Sequence, residues 1–578
     1  MLTNGNWDLR LGEKAALPLY RALLLAAGIL TILAVAARER SDFISQIYFF
    51  KQDVPILCGM AVAFVAAAQI DFREGWLRPL RLAPRHLLMI AGAVALLCVA
   101  GTFGIMMNFD MSRDEAMATF TAASIRDGSL VAPVPAEWQP YSDALMPIFT
   151  HRLSSDSVWI SGYLPLNSAL QALAGAVAHP AVANPLLLFV GFYALFDAAR
   201  RLWPERPDAA AVTLLLAVTS AQLIAAAMTS YAMTGHFALN MVWLALFLRR
   251  TPMADAAALL TGLVIVGLHK LHFHPLFAGP FILWLLARSE WRRALLYIGG
   301  YAAICLFWLL IYPALLLEQA GAAAAAPALA DHSENEIIGV ITRLLGLSPM
   351  ILMANAARFA AWQNMLLLPL ALLSLRLVRR NWAGQGIVHP LLLACLIGVV
   401  TMGYYQGHGW GYRYLHGLIG CFCLLAGYGW QQIVPADQPS RTWALFRYAL
   451  ALSAVVLIPA QLVMARNFVA PHARLYRAIK AAPADVVLLD ARTGFFTEDL
   501  VQNNADPRDL PKIMDMVHLR PAALDALCAT KRVVLVDERH FAAFGIAPSG
   551  LKDRNYRRVA SLRAHLDRKG CAPPLRLR

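Results

Sequence analysis

Charge is scarce in this sequence. Only 15% of its 578 residues are Asp, Glu, Lys or Arg, against roughly 25% in ordinary soluble proteins. Acids are the scarcer sign, with 36 Asp and Glu against 50 Lys and Arg. So little charge does not cover a water-facing globular surface, and a soluble protein is excluded. A cleavage site is also lacking. No small-residue signal follows the first apolar run, "AALPLYRALLLAAGILTILAVAA", and further runs come after it, so it reads as a retained transmembrane helix. No metal-ligand spacing of His, Cys and acids is present. Cysteines number eight. Six of them (Cys58, Cys98, Cys305, Cys395, Cys421, Cys423) fall in apolar runs and read as plain buried thiols. That leaves Cys528 and Cys571 as an isolated pair, suited to a disulfide in an oxidising compartment.

What the chain has instead is hydrophobic length. Its mean hydropathy is +0.55, and apolar runs of roughly 17 to 25 residues recur, each long enough to cross a hydrocarbon core. About thirteen spans are predicted by that criterion, centred on 15–37, 53–70, 86–107, 183–199, 208–228, 235–250, 254–271, 274–289, 292–317, 359–378, 386–404, 412–430 and 444–465. The net charge of +14 is explained by where it sits. Arg and Lys crowd short loops such as "DFREGWLRPLRLAPRH", "ARRLWPERPD", "RSEWRR" and "RLVRRNW", which is the positive-inside signal of membrane helices rather than a nucleic-acid surface. The pattern fits an N-terminus in the cytoplasm and a C-terminus outside, provided 162–178 lies on or dips into the outer leaflet without crossing. The expected fold class is therefore an all-α polytopic membrane protein carrying a small C-terminal α/β domain outside the cytoplasm. Residues 1–465 form the membrane module, with an outer loop at 108–182. Residues 466–578 form the tail, where "DVVLLD" and "RVVLVDE" are β-rich runs separated by helix-compatible segments. A third outer loop, 318–358, contains the connector-like tract "GAAAAAPALA".

Three carboxylates stand where an apolar run ends, in "NFDMSRDEAMATF" (108–120). Part of this is structural. Ser112 followed by Glu115 is a capping box, Asp114 complements the dipole of the helix it opens, and Gly128 suits the far end. Met117, Phe120 and Ile125 fall on its apolar side. Asp110 and Asp114 remain at the bilayer edge, where a carboxylate is costly and marks function. Such a group can take the proton of a bound hydroxyl as its oxygen attacks an electrophile. Capping alone is the competing reading for Asp114.

Two further polar clusters share the outer face. "YYQGHGWGYRYLHG" gathers Arg413, His408, His416, Tyr404, Tyr405, Tyr412 and Tyr414, with Gly407, Gly409 and Gly411 permitting close backbone approach. Arg413 offers the planar fork that suits phosphate, and Trp410 and the tyrosines suit a sugar face. The alternative is an interfacial aromatic belt with a snorkelling Arg. "GLHKLHFHP" presents Lys270, His272 and His274 for phosphate or a sugar hydroxyl. The spacing of the two His residues sets them apart in strand or helix, which argues against a shared metal. His236 reads as a capping or core residue, and Asp490, Arg492, Asp537 and Glu538 in the tail as a solvated loop face.

Taken in order, these features resemble the GT-C class of membrane glycosyltransferases, which take a sugar from a polyprenyl-phosphate carrier, of the protein O-mannosyltransferase and aminoarabinose-transferase kind. The resemblance rests on Asp114–Glu115 in the first large outer loop and on the "WISGYLPLNSALQALAG" element, which keeps only Pro165 of the usual Pro pair. It continues in the basic turn "ALFDAARRLWPERP" and in the Arg-bearing "GWGYRYLHG". It spans roughly residues 86–430, and two extra spans before the acidic loop depart from simpler members. The resemblance implies inverting transfer on the periplasmic face of a bacterial inner membrane. The catalytic residues would be Asp114 and Glu115, with Asp114 as base and Asp110 as its substitute. Arg413 would hold the leaving phosphate. Asp110, Lys270, His272, His274, His408, Tyr412, Arg413 and His416 form the candidate substrate-binding set. Implied partners are a polyprenyl-phosphate sugar, membrane lipids and a lipid, glycan or protein acceptor, with no nucleic acid. No cofactor is certain, although some members of the class hold a divalent ion near the acidic motif. The rivals are a transporter or flippase of lipid-linked sugars, and an enzyme like the O-antigen ligases and polymerases. The lack of an internal repeat and the early acidic helix weigh against both.

Overall fold

A computed structural model describes residues 48–145, 150–152, 158–320, 349–380, 386–400, 406–435, 438–504, 509–550 and 552–576. The first expected span, the "GAAAAAPALA" tract, Tyr404 and Tyr405 lie outside the described residues. Apolar helices occupy the positions of the other twelve expected spans, and proline opens several of them: Pro55, Pro84, Pro207 and Pro252 sit in first turns, where a missing N–H costs nothing. Not all are long unbroken helices. Among the described residues, five helices are long and apolar enough to cross a membrane, or six if one bent pair is counted as one. The remainder, such as Met233–Phe247 and Phe273–Ala287, are 10–17 residues long.

Two expected spans are broken, for a visible reason. Pro207–Val218 and Ala221–Ala227 meet at 54°, because the Ser220 hydroxyl accepts the Leu223 N–H and restarts the helix. The run expected at 359–378 breaks between Ala361 and Leu367, where Asn364 caps the Leu366 N–H. Backbone freed in an apolar medium needs partners, and the two breaks supply them to each other. Gln363 bonds to Ser220 at 2.7 Å and to Gln222 at 2.9 Å, and the Gln222 N–H donates to the Trp362 carbonyl at 3.0 Å.

The loop 108–182 and the C-terminal tail are one packed body. Strands β1 (Ala132–Pro133), β2 (Thr150–Arg152) and β3 (Val158–Ser161) form an antiparallel sheet in the order β1-β3-β2, with Ala132 opposite Trp159 and Thr150 opposite Ser161. In the tail, β4 (Val486–Leu489), β5 (Lys512–Asp515) and β6 (Val533–Val536) are parallel in the order β5-β4-β6. Met117, Phe120 and Trp159 of the loop pack with Val486, Leu488 and Met514 of the tail in a single core. The apolar side of the acidic-loop helix, expected at the membrane surface, thus faces the tail. Four burying strand residues in a row need cover on both faces, and the loop supplies one cover.

No linker separates tail from membrane module. The boundary expected at 465/466 falls inside a continuous 40-residue helix, Arg441–Lys480, about 60 Å long. Its last turns, through Leu475 and Ile479, join the core under β4 and β5. Cys528 and Cys571 are disulfide-bonded, with Cα atoms 6.0 Å apart. Of the six other cysteines, Cys58 is exposed on an apolar helix and Cys305 half-buried, so only four are buried thiols.

Candidate functional site

The site is organised by one helical turn. Ser112 and Glu115 close the capping box: the Glu115 N–H donates to Ser112 Oγ at 3.3 Å and the Ser112 N–H to Glu115 Oε2 at 3.1 Å. With the turn fixed, residues 113 to 115 project about 100° apart and reach three different neighbourhoods. Arg113 turns to the tail, pairing with Asp499 at 2.8 Å and with Glu498. Asp114 turns to the "GWGYRYLHG" segment. Glu115, expected in a catalytic role, is 2% exposed and occupied as the cap.

Asp114 and Arg413 are in contact across 299 residues of sequence. Arg413 Nη1 lies 2.5 Å from Asp114 Oδ2, and the Tyr163 hydroxyl donates to Oδ1. The two charged side chains are 14% and 11% exposed. Arg413 is itself held on several sides. Its N–H donates to Gln406 Oε1 at 2.7 Å, its Nη2 to the Gln406 carbonyl, and its guanidinium lies 5.0 Å from the centre of the Tyr231 ring. Gln406 closes the loop by donating to the Gly411 carbonyl at 2.9 Å.

The glycines serve this arrangement rather than a ligand. A Cβ at Gly409 would stand 2.4 Å from Arg413 Cδ, and one at Gly411, whose φ is +68°, 2.4 Å from Gln222 Oε1. Tyr414 is half-buried, and four of the segment's other residues are core. His408 bonds to the Tyr48 hydroxyl at 2.8 Å and stacks on Phe468. Trp410 is 3% exposed and cannot cover a sugar. Tyr412 is fully buried, with its carbonyl accepting from Gln222 at 2.8 Å. His416 is buried beside Phe237. Its ring nitrogens, like those of the buried His236, lack hydrogen-bond partners among the described residues.

The second cluster splits apart. Lys270 reaches the site, with Nζ 5.4 Å from the centre of the Tyr163 ring. His272 is exposed. His274 is a core residue, not a substrate ligand: it is wholly buried, with Nδ1 on Asn240 at 2.8 Å and Nε2 on the Tyr301 hydroxyl at 2.6 Å. His269, not singled out from sequence, is the histidine that stacks on Tyr163 at 4.2 Å. In the tail, Asp490 and Asp537 are not solvated. Both are buried, and Arg563 pairs with each.

Burial sorts the three carboxyls. Burial alone would raise Asp114, but the Arg413 guanidinium, then His269 and the Tyr163 hydroxyl, outweigh it and hold the carboxyl below its usual range. Burial raises Asp110, despite hydrogen bonds from Thr119 (2.6 Å) and Ser230. Glu115 is raised well above the ordinary value by burial and by the neighbouring Asp110. Asp110 and Glu115 also line a cavity of about 440 Å³, on a different side of the helix from the Asp114–Arg413 pair. Among the described residues, no three His, Cys, Asp or Glu are grouped to hold a metal. Both Asp114 oxygens already have partners, so the donor set does not fit a divalent ion.

No family model matches the sequence, and no curated protein matches it. Solved structures align with the chain, at TM-scores below 0.5. ArnT from Cupriavidus metallidurans in the apo state is 13% identical with a TM-score of 0.41, covering 73% of this chain and 85% of that one. The same protein bound to undecaprenyl phosphate gives 13%, 0.43, 85% and 90%. The Archaeoglobus fulgidus oligosaccharyltransferase tethered to an acceptor peptide gives 12%, 0.38, 73% and 60%.

Proposed function

We propose that the chain transfers a sugar from a polyprenyl-phosphate donor to a hydroxyl acceptor at the periplasmic face of a bacterial inner membrane. The observation that carries this reading is the Asp114–Arg413 contact at 2.5 Å. It joins a base candidate to a phosphate fork at one point, where the last turns of the membrane helices meet the loop–tail body.

The ion pair suggests how the two roles are coupled. In the pair, Asp114 is a weak base, because the guanidinium stabilises its charge. A donor phosphate competes for the same fork, and Arg413 is well suited to accept it bidentately. Once Arg413 turns to phosphate, burial raises the Asp114 carboxyl and strengthens it as a base. The acceptor hydroxyl then gives its proton to Asp114 while its oxygen bonds to the anomeric carbon. The bond from that carbon to the phosphate oxygen breaks, and its electron pair leaves with the polyprenyl phosphate. Attack opposite the leaving group inverts the anomeric centre. Arg413, with Lys270 nearby, stabilises the phosphate as charge develops. Tyr163 keeps Asp114 oriented through both states.

The test uses purified protein and radiolabelled polyprenyl-phosphate sugars, one sugar at a time. Asp114→Asn keeps the shape and removes the base, so transfer per folded molecule falls by about 10²–10⁴-fold; the unpaired Arg413 guanidinium also costs stability, and a thermal scan sets the temperature at which the variant is assayed folded. Full activity of the variant refutes the assignment. Label moved across liposomes without attachment to any acceptor refutes transfer and favours a flippase.

A further inference from the structure

The cavity behind the catalytic pair has its own chemistry. It lies at one end of three apolar helical segments, near Thr102, Ala181 and Thr229, and is bounded by the helices Arg113–Arg126 and Leu166–Val177. At about 440 Å³ it is within the roughly 300–1,000 Å³ range of ligand sites. Its inner lining is rich in acceptors. The nitrogens of its two buried amides are spent elsewhere: Asn184 Nδ2 donates to the Thr229 and Tyr231 carbonyls, and Gln171 Nε2 to the Ser230 carbonyl, while the third lining amide, Asn108, is exposed. Asn184 Oδ1 is left without a hydrogen-bond partner among the described residues, on a side chain only 3% exposed. The Asp110 and Glu115 carboxyls stand in the same lining. The lining residues Arg126 and His179 are of opposite character. Both are exposed, and His179 Nδ1 accepts the Ala181 N–H at 3.1 Å, so its other nitrogen carries the proton and is a donor.

A site that offers acceptors inside and donors at its edge complements a zwitterion. A primary ammonium has three N–H donors and no lone pair, and a buried unpaired acceptor or carboxyl is costly until such a donor arrives. The surroundings are apolar. Phe103, Leu173, Val177 and Leu186 are large hydrophobic residues left exposed on the bordering helices, as expected where acyl chains cover the protein.

We infer that this cavity binds the phosphoethanolamine headgroup of a membrane phospholipid. The ammonium points inward to Asp110, Glu115 and Asn184 Oδ1, the phosphate meets Arg126 and His179, and the acyl chains run along the exposed apolar helices. The site is separate from the Asp114–Arg413 pair and does not depend on the transfer reading.

Native mass spectrometry of the full chain, released from detergent, tests this with phosphatidylethanolamine, phosphatidylcholine and phosphatidylglycerol of identical acyl chains. Methylation removes every ammonium N–H, so phosphatidylethanolamine is expected to bind at about tenfold lower concentration than phosphatidylcholine, the size of one lost charge-assisted hydrogen bond. Ala181→Trp fills the cavity from a wall position and erases the difference. Asn184→Leu reduces it, and a thermal scan of each variant reports whether the fold is intact. Arg413→Ala leaves the preference unchanged. Equal binding of the amine and choline lipids overturns the inference, as does a preference that survives Ala181→Trp. Phosphatidylglycerol binding as well as the amine lipid overturns it too, and so does loss of the preference in Arg413→Ala, which moves the lipid to the catalytic pair.

Discussion

Arg413→Ala isolates the electrostatics of the site, because it removes one member of an ion pair whose two side chains are 14% and 11% exposed. Breaking a buried pair from one side leaves an uncompensated charge and costs about 3–5 kcal/mol. The pH dependence gives the test its sharpness. In the parent chain, Asp114 is held below its usual range. The stability it contributes is fully present above the unfolded carboxyl value of about 3.9 and is lost only as pH falls through the still lower folded value. In the variant the opposing guanidinium is gone and burial dominates, so the folded value lies above the unfolded one. Stability is then lost as pH rises through that raised value. The two curves, followed by thermal unfolding in detergent between about pH 4 and 7.5, should nearly meet at the acid end and separate as pH rises. Their gap should approach about 3–5 kcal/mol at neutrality. A gap that is constant with pH, or that widens toward acid, refutes the claim that Arg413 governs the Asp114 charge.

Other outcomes follow from the same geometry. Gly411→Ala forces a non-glycine residue to φ +68° and a Cβ to 2.4 Å from Gln222, so a loss of about 2 kcal/mol is expected by thermal unfolding. Glu498→Gln together with Asp499→Asn removes both partners of Arg113, and limited proteolysis between 100 and 130 should accelerate while the apolar helices stay protected. Cys528→Ser opens a bridge spanning 43 residues; chain entropy over that separation is about 4 kcal/mol, read as faster hydrogen exchange in the helix Arg554–Lys569.

Local signals were the most readable part of the sequence. Apolar runs and the Ser112–Glu115 box predict helices where the structure has them, because each device acts locally along the chain. The Asp114–Arg413 juxtaposition could be proposed only from matching chemistry, since the two are 299 positions apart. Long-range packing was not legible. Nothing in the spacing of Met117 and Phe120 says whether their apolar side meets lipid or a sheet hundreds of residues later. Nor does the spacing of Lys270, His272 and His274 show that His274 finds Asn240 and Tyr301 in the core while His269 takes the place beside Tyr163. Span continuity was not legible either, for a physical reason. Hydropathy does not register a helix break when the freed groups are satisfied by another break, as Ser220 and Gln363 do for one another. Tyr163 had one available signal: a tyrosine beside Pro165, in the very element that carried the resemblance.

The shared core of the loop and tail sets a schedule for biosynthesis. Arg113 and Glu498 are separated by 385 residues, so at about 5–20 residues per second the first partner waits roughly 20–80 s for the second to be made. Until then Met117, Phe120 and Trp159 have no tail sheet to rest on, a period in which the segment is open to proteases. The chain's maturation is therefore gated by its last hundred residues, and a nascent chain stopped before β4 presents an uncovered acidic turn to the quality-control machinery rather than a finished fold.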